Sequence, residues 1–576
     1  INKINFLTKK ISGLLEKKIG KFDEDKTNFN KVNYDIFLRL ASKYFSNLML
    51  NPNIIFEAQI NYYKSFLEIY SENIKDNIEF DKNKNFDLKS NSLFKMMSNN
   101  YDLIQNLIKY SIDKIDNLEK KEKDQFNFLT SQMLDMFSPD NFLLTNSEAL
   151  STALKTNGKS LIDGLNNFVN DLEKNDNNFQ VSIVNESAFK VGKNIAHTVG
   201  SVVYQNKLFQ LIHYKPLLSK VSQTPLLIVP PCINKYYNLD LQEKNSFVRF
   251  SLNQGIDVFM ISWVNADSSY QSTNFEDYID LGILTASQVV RKITNSKKIN
   301  GLGYCIGGTM LSVALSYLSK INKNNFSSAT FLTTLTDFED IGDLSFFMTD
   351  DHISLIKKQI SKDGFLSGDS LAQTFNLLKS KDLFFKPAVR SYLLGEKPPA
   401  FDILFWNNDK TNLPAKMATE DLDIFYKNNL FSKGKLLLFK EKISLSDINI
   451  PVFIVSTEKD HIAPWRSSFK GLNKTNSNKT FVLAESGHIA GIINSPGSKK
   501  YGYKISNNIS DFDNNNLPLN GNVGSWWSEW SQWTKSYSGS LKNSVNPGLN
   551  TNFPTIEEAP GSYVLKKNDY AIAESP

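Results

Sequence analysis

The chain has 576 residues, of which 41% are apolar and 22% are charged, and its net charge is +5. This length predicts two or three globular domains, and so small a charge gives no reason to expect nucleic-acid binding. Two cysteines exclude a disulfide framework and favour a reducing cytosol.

The N-terminal third has the apolar spacing of amphipathic helices. Apolar residues recur at helical intervals within residues 53–72, and comparable segments follow as far as Leu172. Residues 1–18 lack the unbroken apolar run of a signal peptide, and no stretch reaches the ~20 apolar residues of a transmembrane segment. The polar run at residues 175–178 predicts a linker, so residues 1–190 are predicted to form a helical N-terminal domain.

Short apolar runs then alternate with helical patterns. A hairpin is predicted over residues 202–212, and the predicted strands after it are Pro225–Val229, Val258–Ile261, Lys298–Leu302, Ala329–Leu332, Val452–Val455 and Thr480–Leu483. Helical segments at Phe247–Gln254, Tyr278–Ile293 and Ile306–Leu318 lie between these strands. The alternation predicts an α/β domain with a mostly parallel sheet flanked by helices. Such sheets place their chemistry at the carboxyl ends of the strands.

One long interval, from about Asp337 to Leu438, interrupts this alternation. It is rich in Phe, Leu, Tyr and Trp. An insertion at this point predicts a cap over the strand ends, and a separate helical domain is the alternative. The predicted organisation is therefore a catalytic domain over residues 191–576 with a cap insertion at about residues 337–438.

The strongest local signal is the segment Gly301–Gly308, which reads Gly-Leu-Gly-Tyr-Cys-Ile-Gly-Gly. Its G-x-C-x-G pattern, between a predicted strand and a predicted helix, is typical of an α/β-hydrolase nucleophile elbow with cysteine in place of serine. So sharp a turn leaves no room for side chains at Gly303 and Gly307. Cys305 is the predicted nucleophile, and the Ile306 N–H is a predicted oxyanion donor. The alternative is a glycine-rich turn around a buried cysteine.

An elbow of this type requires an acid and then a base later in the chain. Asp460 and His488 occur in that order, each in the loop just after a predicted strand. They are therefore predicted to be the acid and the base. His461 is a rival base, disfavoured because it adjoins the acid, and Glu458 is a rival acid.

A second oxyanion donor is expected in the loop Pro230–Asn234, which follows an earlier strand. Its prolines have no N–H to donate, so the donor is Cys232 or Ile233, and we assign it to the Ile233 N–H. Cys232 has no elbow around it and is interpreted as a small buried residue.

These motifs resemble those of the polyhydroxyalkanoate synthases, specifically the long class I type within the α/β-hydrolase superfamily. The matching segments are Phe137–Phe142, Thr145–Asn146, Pro230–Tyr237, Gly255–Asn265, Gly303–Thr309, Phe401–Pro414, Ser486–Gly491 and Gly524–Trp527. The likeness extends from about residue 50 to the C-terminus, whereas the first fifty residues match poorly.

The resemblance implies an enzyme that polymerises (R)-3-hydroxyacyl-CoA, mainly 3-hydroxybutyryl-CoA, into polyester with release of CoA. It also implies a cytoplasmic homodimer bound to the growing polyester at the granule surface. No cofactor or metal ion is expected, because the CoA thioester is itself the substrate. Two alternatives remain open: a thioesterase or hydrolase that uses the same triad, and an inactive granule-binding protein.

Overall fold

The computed structural model divides the chain into two compact units. It describes residues 6–7, 9–14, 24–78, 92–174, 180–506 and 520–567. Unit 1 comprises Ile1–Asn185 and Thr374–Pro399, and unit 2 comprises Glu186–Gln373 and Ala400–Pro576. The division after Asn185 lies close to the predicted boundary at residue 190, but residues 374–399 of the predicted cap belong to unit 1.

Unit 1 is helical, as the apolar spacing predicts. Its longer helices are Glu24–Leu50, Pro52–Ile78, Ser92–Asp113, Lys120–Met136, Ser147–Lys155 and Lys159–Lys174. Side chains of three of these helices and of the turn after Asp113 form a small core, with members Ile36, Leu40, Ala41, Ile112, Ile115, Leu118 and Phe126. The predicted linker at residues 175–178 lies outside the described residues.

Residues 374–399 belong to unit 1 because specific contacts join them to the helix Lys159–Lys174. The Tyr392 hydroxyl donates to Asp171 Oδ2 at 2.7 Å. The Asn167 amide donates to the carbonyl oxygens of Ser391 and Glu396, each at 3.0 Å. Because of these contacts, residues 374–399 belong to a different unit from the rest of the predicted cap. Whether the remaining residues cover the strand ends stays a prediction.

Unit 2 is built on a large sheet. The strands are β1 Gly200–Gln205, β2 Phe209–Tyr214, β3 Lys220–Ser222, β4 Leu226–Val229, β5 Val258–Trp263, β6 Ile299–Tyr304, β7 Phe326–Leu332, β8 Phe365–Leu366, β9 Leu413–Pro414, β10 Leu436–Leu438, β11 Glu441–Ile443, β12 Val452–Thr457, β13 Lys479–Ala484, β14 Tyr503–Ser506, β15 Asn520–Asn522, β16 Leu541–Asn543 and β17 Glu557–Glu558. Eleven strands within the described residues form the main sheet, in the order β15-β14-β13-β12-β7-β6-β4-β5-β2-β1-β17.

The six central strands of this sheet, β13 to β5 in spatial order, run parallel. Every residue of β4, β5, β6 and β12 is buried. Burial on both faces explains why β4, β5 and β12 are largely apolar in the sequence. The register sets Leu227 of β4 opposite Gly301 of β6, and Leu332 of β7 opposite Val455 of β12. The predicted parallel strands and the β1–β2 hairpin are confirmed, whereas the antiparallel edge strands β14, β15 and β17 were not predicted.

The helices of unit 2 lie between these strands. Those of α or π type within the described residues are Phe247–Asn253, Phe275–Asp277, Tyr278–Leu284, Thr285–Thr294, Ile306–Lys320, Asp350–Asp363, Asp402–Asn408, Ala415–Asp421, Leu422–Lys427, Trp465–Leu472 and Trp527–Ser536, and Gly368–Leu377 crosses the unit boundary. Among the described helices, none combines the length and apolar character that crossing a membrane requires.

Candidate active site

Cys305 lies at the turn between β6 and the helix Ile306–Lys320. Its φ of +53° and ψ of −127° place an ordinary side chain in a backbone region that favours glycine. The Cys305 N–H donates to the Leu332 carbonyl of β7 at 2.9 Å, and its own carbonyl accepts from the Gly308 N–H at 2.9 Å. Strain held in this way at a strand-to-helix turn is the backbone conformation of a nucleophile elbow.

Two glycines make this turn possible, as the sequence predicts. A Cβ at Gly303 would lie 2.4 Å from the Gly308 Cα. A Cβ at Gly307 would lie 2.3 Å from the Val229 carbonyl oxygen. Both distances are too short for non-bonded atoms, so this turn requires glycine at both positions. The turn carries the Cys305 thiol, which is half-buried.

The predicted acid and base are in direct contact. His488 Nδ1 lies 2.7 Å from Asp460 Oδ2, and both residues are buried. The other carboxylate oxygen, Asp460 Oδ1, accepts from the Ile462 and Ala463 N–H groups at 2.9 and 2.8 Å. The Thr457 hydroxyl, at the end of β12, donates to Oδ2 at 3.2 Å. These donors hold the carboxylate in one orientation toward the imidazole.

Tyr304 also contacts His488. Its ring stacks on His488 with centroids 5.7 Å apart and an interplanar angle of 22°. The Tyr304 hydroxyl also donates to the His488 carbonyl at 3.1 Å. Sequence reasoning missed this contact, although Tyr304 directly precedes the nucleophile within the elbow motif.

The loop that carries His488 is anchored by two buried tryptophans. The Trp526 indole N–H donates to the Gly491 carbonyl at 3.0 Å, and the Trp527 indole N–H donates to the Ile492 carbonyl at 2.9 Å. The family resemblance marked this tryptophan pair without giving it a role. The contacts indicate that the pair positions the histidine loop.

The electrostatic environment favours a proton on His488. Burial lowers the pKa of this imidazole, but the charges of Asp460 and Cys305 outweigh burial and raise it to about 10. The side chain of Cys305 is thus one of the groups that raise the pKa of His488. Because Asp460 occupies Nδ1, Nε2 is the ring nitrogen that remains to act on the thiol. An imidazolium in this position stabilises a thiolate, which is the nucleophilic form of cysteine.

Two alternative residues are in unsuitable surroundings. Glu458, the rival acid, is partly exposed, and its Oε1 accepts from Lys504 Nζ at 2.7 Å. Cys232 is buried, and burial, followed by the charge of Asp421, raises the pKa of its thiol well above the usual value. A neutral thiol is a poor nucleophile, so Cys305 remains the candidate.

The predicted oxyanion loop lies against the elbow. Gly307 packs on the carbonyls of Val229 and Pro230, and the Trp263 indole N–H donates to the Pro230 carbonyl at 2.9 Å. Within the described residues, neither the Ile306 N–H nor the Ile233 N–H donates to a loop, turn or cap carbonyl. Both are thus available to a ligand, and their oxyanion role stays a prediction.

Asp460→Asn is expected to lower the rate of acyl transfer to Cys305 by about 100- to 10,000-fold, which is less than the loss expected without the nucleophile. The amide cannot stabilise the imidazolium or enforce its tautomer, but the thiol survives. Release of CoA from 3-hydroxybutyryl-CoA, the substrate that the family resemblance implies, measures the effect, with Glu458→Gln as the matched control. A loss as complete as that of Cys305→Ala, in a folded protein, would contradict an orienting role.

Comparison with known proteins places this site in a class. Residues 225–495 match the alpha/beta hydrolase fold, and residues 80–251 match the family described as Poly-beta-hydroxybutyrate polymerase (PhaC) N-terminus. The chain is therefore an α/β-hydrolase-fold protein whose elbow carries cysteine.

Relatives with similar sequences define the family more closely. A poly(3-hydroxyalkanoate) polymerase of Methylorubrum extorquens is 36% identical over 483 residues, which cover 84% of this chain and 80% of the relative. The PhaC subunit of the Cupriavidus necator polymerase is 40% identical over 455 residues, covering 76% and 75%. The corresponding subunit of Rhizobium etli is 31% identical over 548 residues, covering 92% and 86%. The chain belongs to the poly(3-hydroxyalkanoate) polymerase family, which confirms the predicted family and fold.

Proposed function

We propose that this acyltransferase forms poly(3-hydroxyalkanoate) from (R)-3-hydroxyacyl-CoA and carries the acyl chain as a thioester on Cys305. The single observation that supports this most strongly is the elbow cysteine beside the His488–Asp460 pair, in a chain of the polymerase family. We propose 3-hydroxybutyryl as the main acyl group, as in the class I enzymes that the sequence resembles.

Loading is an exchange of thioesters. The Cys305 thiolate attacks the CoA thioester carbonyl, a carbon–sulfur bond to the enzyme forms, and the bond to CoA breaks. The His488 imidazolium returns a proton to the departing CoA thiolate. Because the product is again a thioester, the acyl-enzyme stays reactive, whereas serine would give a more stable oxyester.

The tetrahedral intermediate of this exchange carries a negative oxygen. The Ile306 N–H, at the N-terminus of the helix Ile306–Lys320, and the Ile233 N–H are the proposed donors to it. Backbone donors held by a rigid turn stabilise the charge without reorganising as it develops.

Elongation uses the same imidazole as a base. Neutral His488 takes the proton of the 3-hydroxyl of an incoming 3-hydroxyacyl-CoA, whose oxygen attacks the acyl-enzyme. An ester forms, the bond to Cys305 breaks, and the proton passes to the thiolate. The lengthened chain, now on CoA, returns to Cys305 by a second exchange. Asp460 holds the imidazole tautomer throughout.

The proposed setting follows the family resemblance. The enzyme acts as a homodimer at the surface of cytoplasmic polymer granules, and part of the predicted cap, residues 337–438, excludes water that would otherwise hydrolyse the acyl-enzyme. The chemistry requires no cofactor or metal ion, because the substrate brings its own leaving group.

Incubation of the full chain with (R)-3-hydroxybutyryl-CoA tests the proposal, with both free CoA and insoluble polymer measured. CoA release with a matching yield of polyester supports a polymerase. CoA release with only free 3-hydroxybutyrate would show a thioesterase on the same triad. No CoA release from folded protein would indicate a binding protein.

A further inference from the structure

Tyr304 links the strand that carries the nucleophile to the loop that carries the base. It is the last residue of β6, directly before Cys305, and only 1% of it is exposed. Its ring stacks on the His488 imidazole, with centroids 5.7 Å apart and planes inclined by 22°. Its hydroxyl donates to the backbone carbonyl of the same histidine at 3.1 Å. One side chain therefore contacts both the imidazole and the main chain of His488.

Tyr304 has a more rigid support than His488. It lies opposite Leu332 in the parallel pairing of β6 with β7, and the Cys305 N–H donates to the Leu332 carbonyl at 2.9 Å. His488 lies in the loop after β13, whose last residue is Ala484. A side chain on a strand inside a sheet is held more precisely than one on a loop. Tyr304 can thus hold the imidazole at a fixed place relative to the strand of the nucleophile.

The Tyr304 ring acts differently on the two charge states of the imidazole. The face of an aromatic ring carries partial negative charge and attracts a cation that lies within about 6 Å of the ring centroid. The distance between the Tyr304 and His488 rings is within this range. Asp460, in contact with Nδ1, stabilises the same cation. The tyrosine ring therefore adds to the preference for imidazolium over neutral imidazole.

We propose that Tyr304 is a positioning residue that acts through His488, with a ring that favours the protonated imidazole and a hydroxyl that holds the backbone of the histidine loop. In the loading step, the imidazolium gives its proton to the sulfur of the departing CoA. Tyr304 thus helps to keep His488 in the form that this proton transfer requires. The inference rests on the proposed function and adds to it a residue that supports the acid–base step.

Titration of the histidines tests the effect of the ring without any substrate. The imidazoles of the full chain are isotope-labelled and followed by NMR, and the His488 signal is the one that His488→Gln lacks. Tyr304→Met, whose side chain fills irregular gaps, should move the midpoint of the His488 titration to lower pH by about 0.5 to 1.5 pH units. Tyr304→Phe keeps the ring and should leave the midpoint in place.

The matched control is Tyr214→Met. Tyr214 is the equally buried last residue of β2, which runs antiparallel to β5 and so ends at the opposite edge of the sheet. This variant should leave the His488 midpoint unchanged. Melting temperatures show which variants are folded. An unchanged midpoint in folded Tyr304→Met, a shift of the same size in Tyr304→Phe, or a shift of the same size in Tyr214→Met would overturn the role of the ring.

The rate of loading separates action through His488 from a general packing role. Enzyme in excess over (R)-3-hydroxybutyryl-CoA loads at most once, and intact-protein mass spectrometry follows the adduct. Tyr304→Met should load about 10- to 100-fold more slowly than wild type, and Tyr304→Phe about 2- to 10-fold more slowly. In a His488→Gln background, both substitutions should change the rate by less than about twofold, because the group through which they act is absent.

Two outcomes of this loading experiment would overturn the inference. One is equal slowing by the Tyr304 substitutions with and without His488, and the other is a wild-type rate in Tyr304→Phe, the variant closest to wild type in shape. A wild-type protein that loads no acyl group would instead overturn the proposed function, and the histidine titration would still decide whether Tyr304 favours the imidazolium.

Discussion

Cys305→Ala is expected to form no covalent acyl-enzyme and no polymer. The thiol supplies the electron pair that displaces CoA, and the His488–Asp460 pair has no other nucleophile to activate. Removing the nucleophile of a triad costs about a millionfold in rate. Free CoA and insoluble polymer, measured with (R)-3-hydroxybutyryl-CoA as substrate, should both fall to the level of buffer alone.

The matched control for this variant is Cys232→Ser. The Cys232 thiol is buried, and any oxyanion role in its loop belongs to backbone N–H groups, which the substitution keeps. Substantial turnover is therefore expected. Polymer formation by Cys305→Ala, or loss of acyl loading in a folded Cys232→Ser protein, would show that the nucleophile is Cys232 and not Cys305.

His488→Gln is expected to load slowly and then to stall. A cysteine retains a small thiolate fraction without a base, so loading should slow by about 100- to 10,000-fold but continue. Elongation requires the deprotonation of an alcohol, a far weaker acid than a thiol, and should stop. The variant should therefore accumulate a single 3-hydroxybutyryl adduct without making polymer.

Mass spectrometry of the intact protein over time distinguishes these two steps. The control is His461→Gln, which removes the rival base and should elongate like wild type. If His488→Gln elongates normally while His461→Gln stalls, the base has been assigned to the wrong histidine.

The elbow could be predicted from the sequence because all of its determinants are local. The turn needs glycine at positions 303 and 307, because a Cβ at either one would lie 2.3–2.4 Å from neighbouring backbone atoms. Asp460 and His488 could be predicted for a related reason. Parallel strands end at one edge of a sheet, so residues just after β12 and β13 meet the end of β6.

Other features depend on contacts that no local pattern encodes. Residues 374–399 have the aromatic composition of the predicted cap, but their place in unit 1 depends on pairs such as Tyr392 with Asp171, far apart in the chain. Asp421, on a helix between Glu420 and Asp423, has the sequence pattern of a solvated helix face. Only the burial of its side chain, with 9% of the residue exposed, shows otherwise.

The central claim is that Cys305 carries the acyl chain. The most direct measurement is to mix wild-type protein with (R)-3-hydroxybutyryl-CoA, stop the reaction in acid, digest the protein and locate the adduct by peptide mass spectrometry. We expect 3-hydroxybutyryl units as a thioester on the peptide that contains Cys305, and none on the peptide that contains Cys232. An adduct on Cys232 or on another residue, with the Cys305 peptide unmodified while polymer forms, would contradict this account.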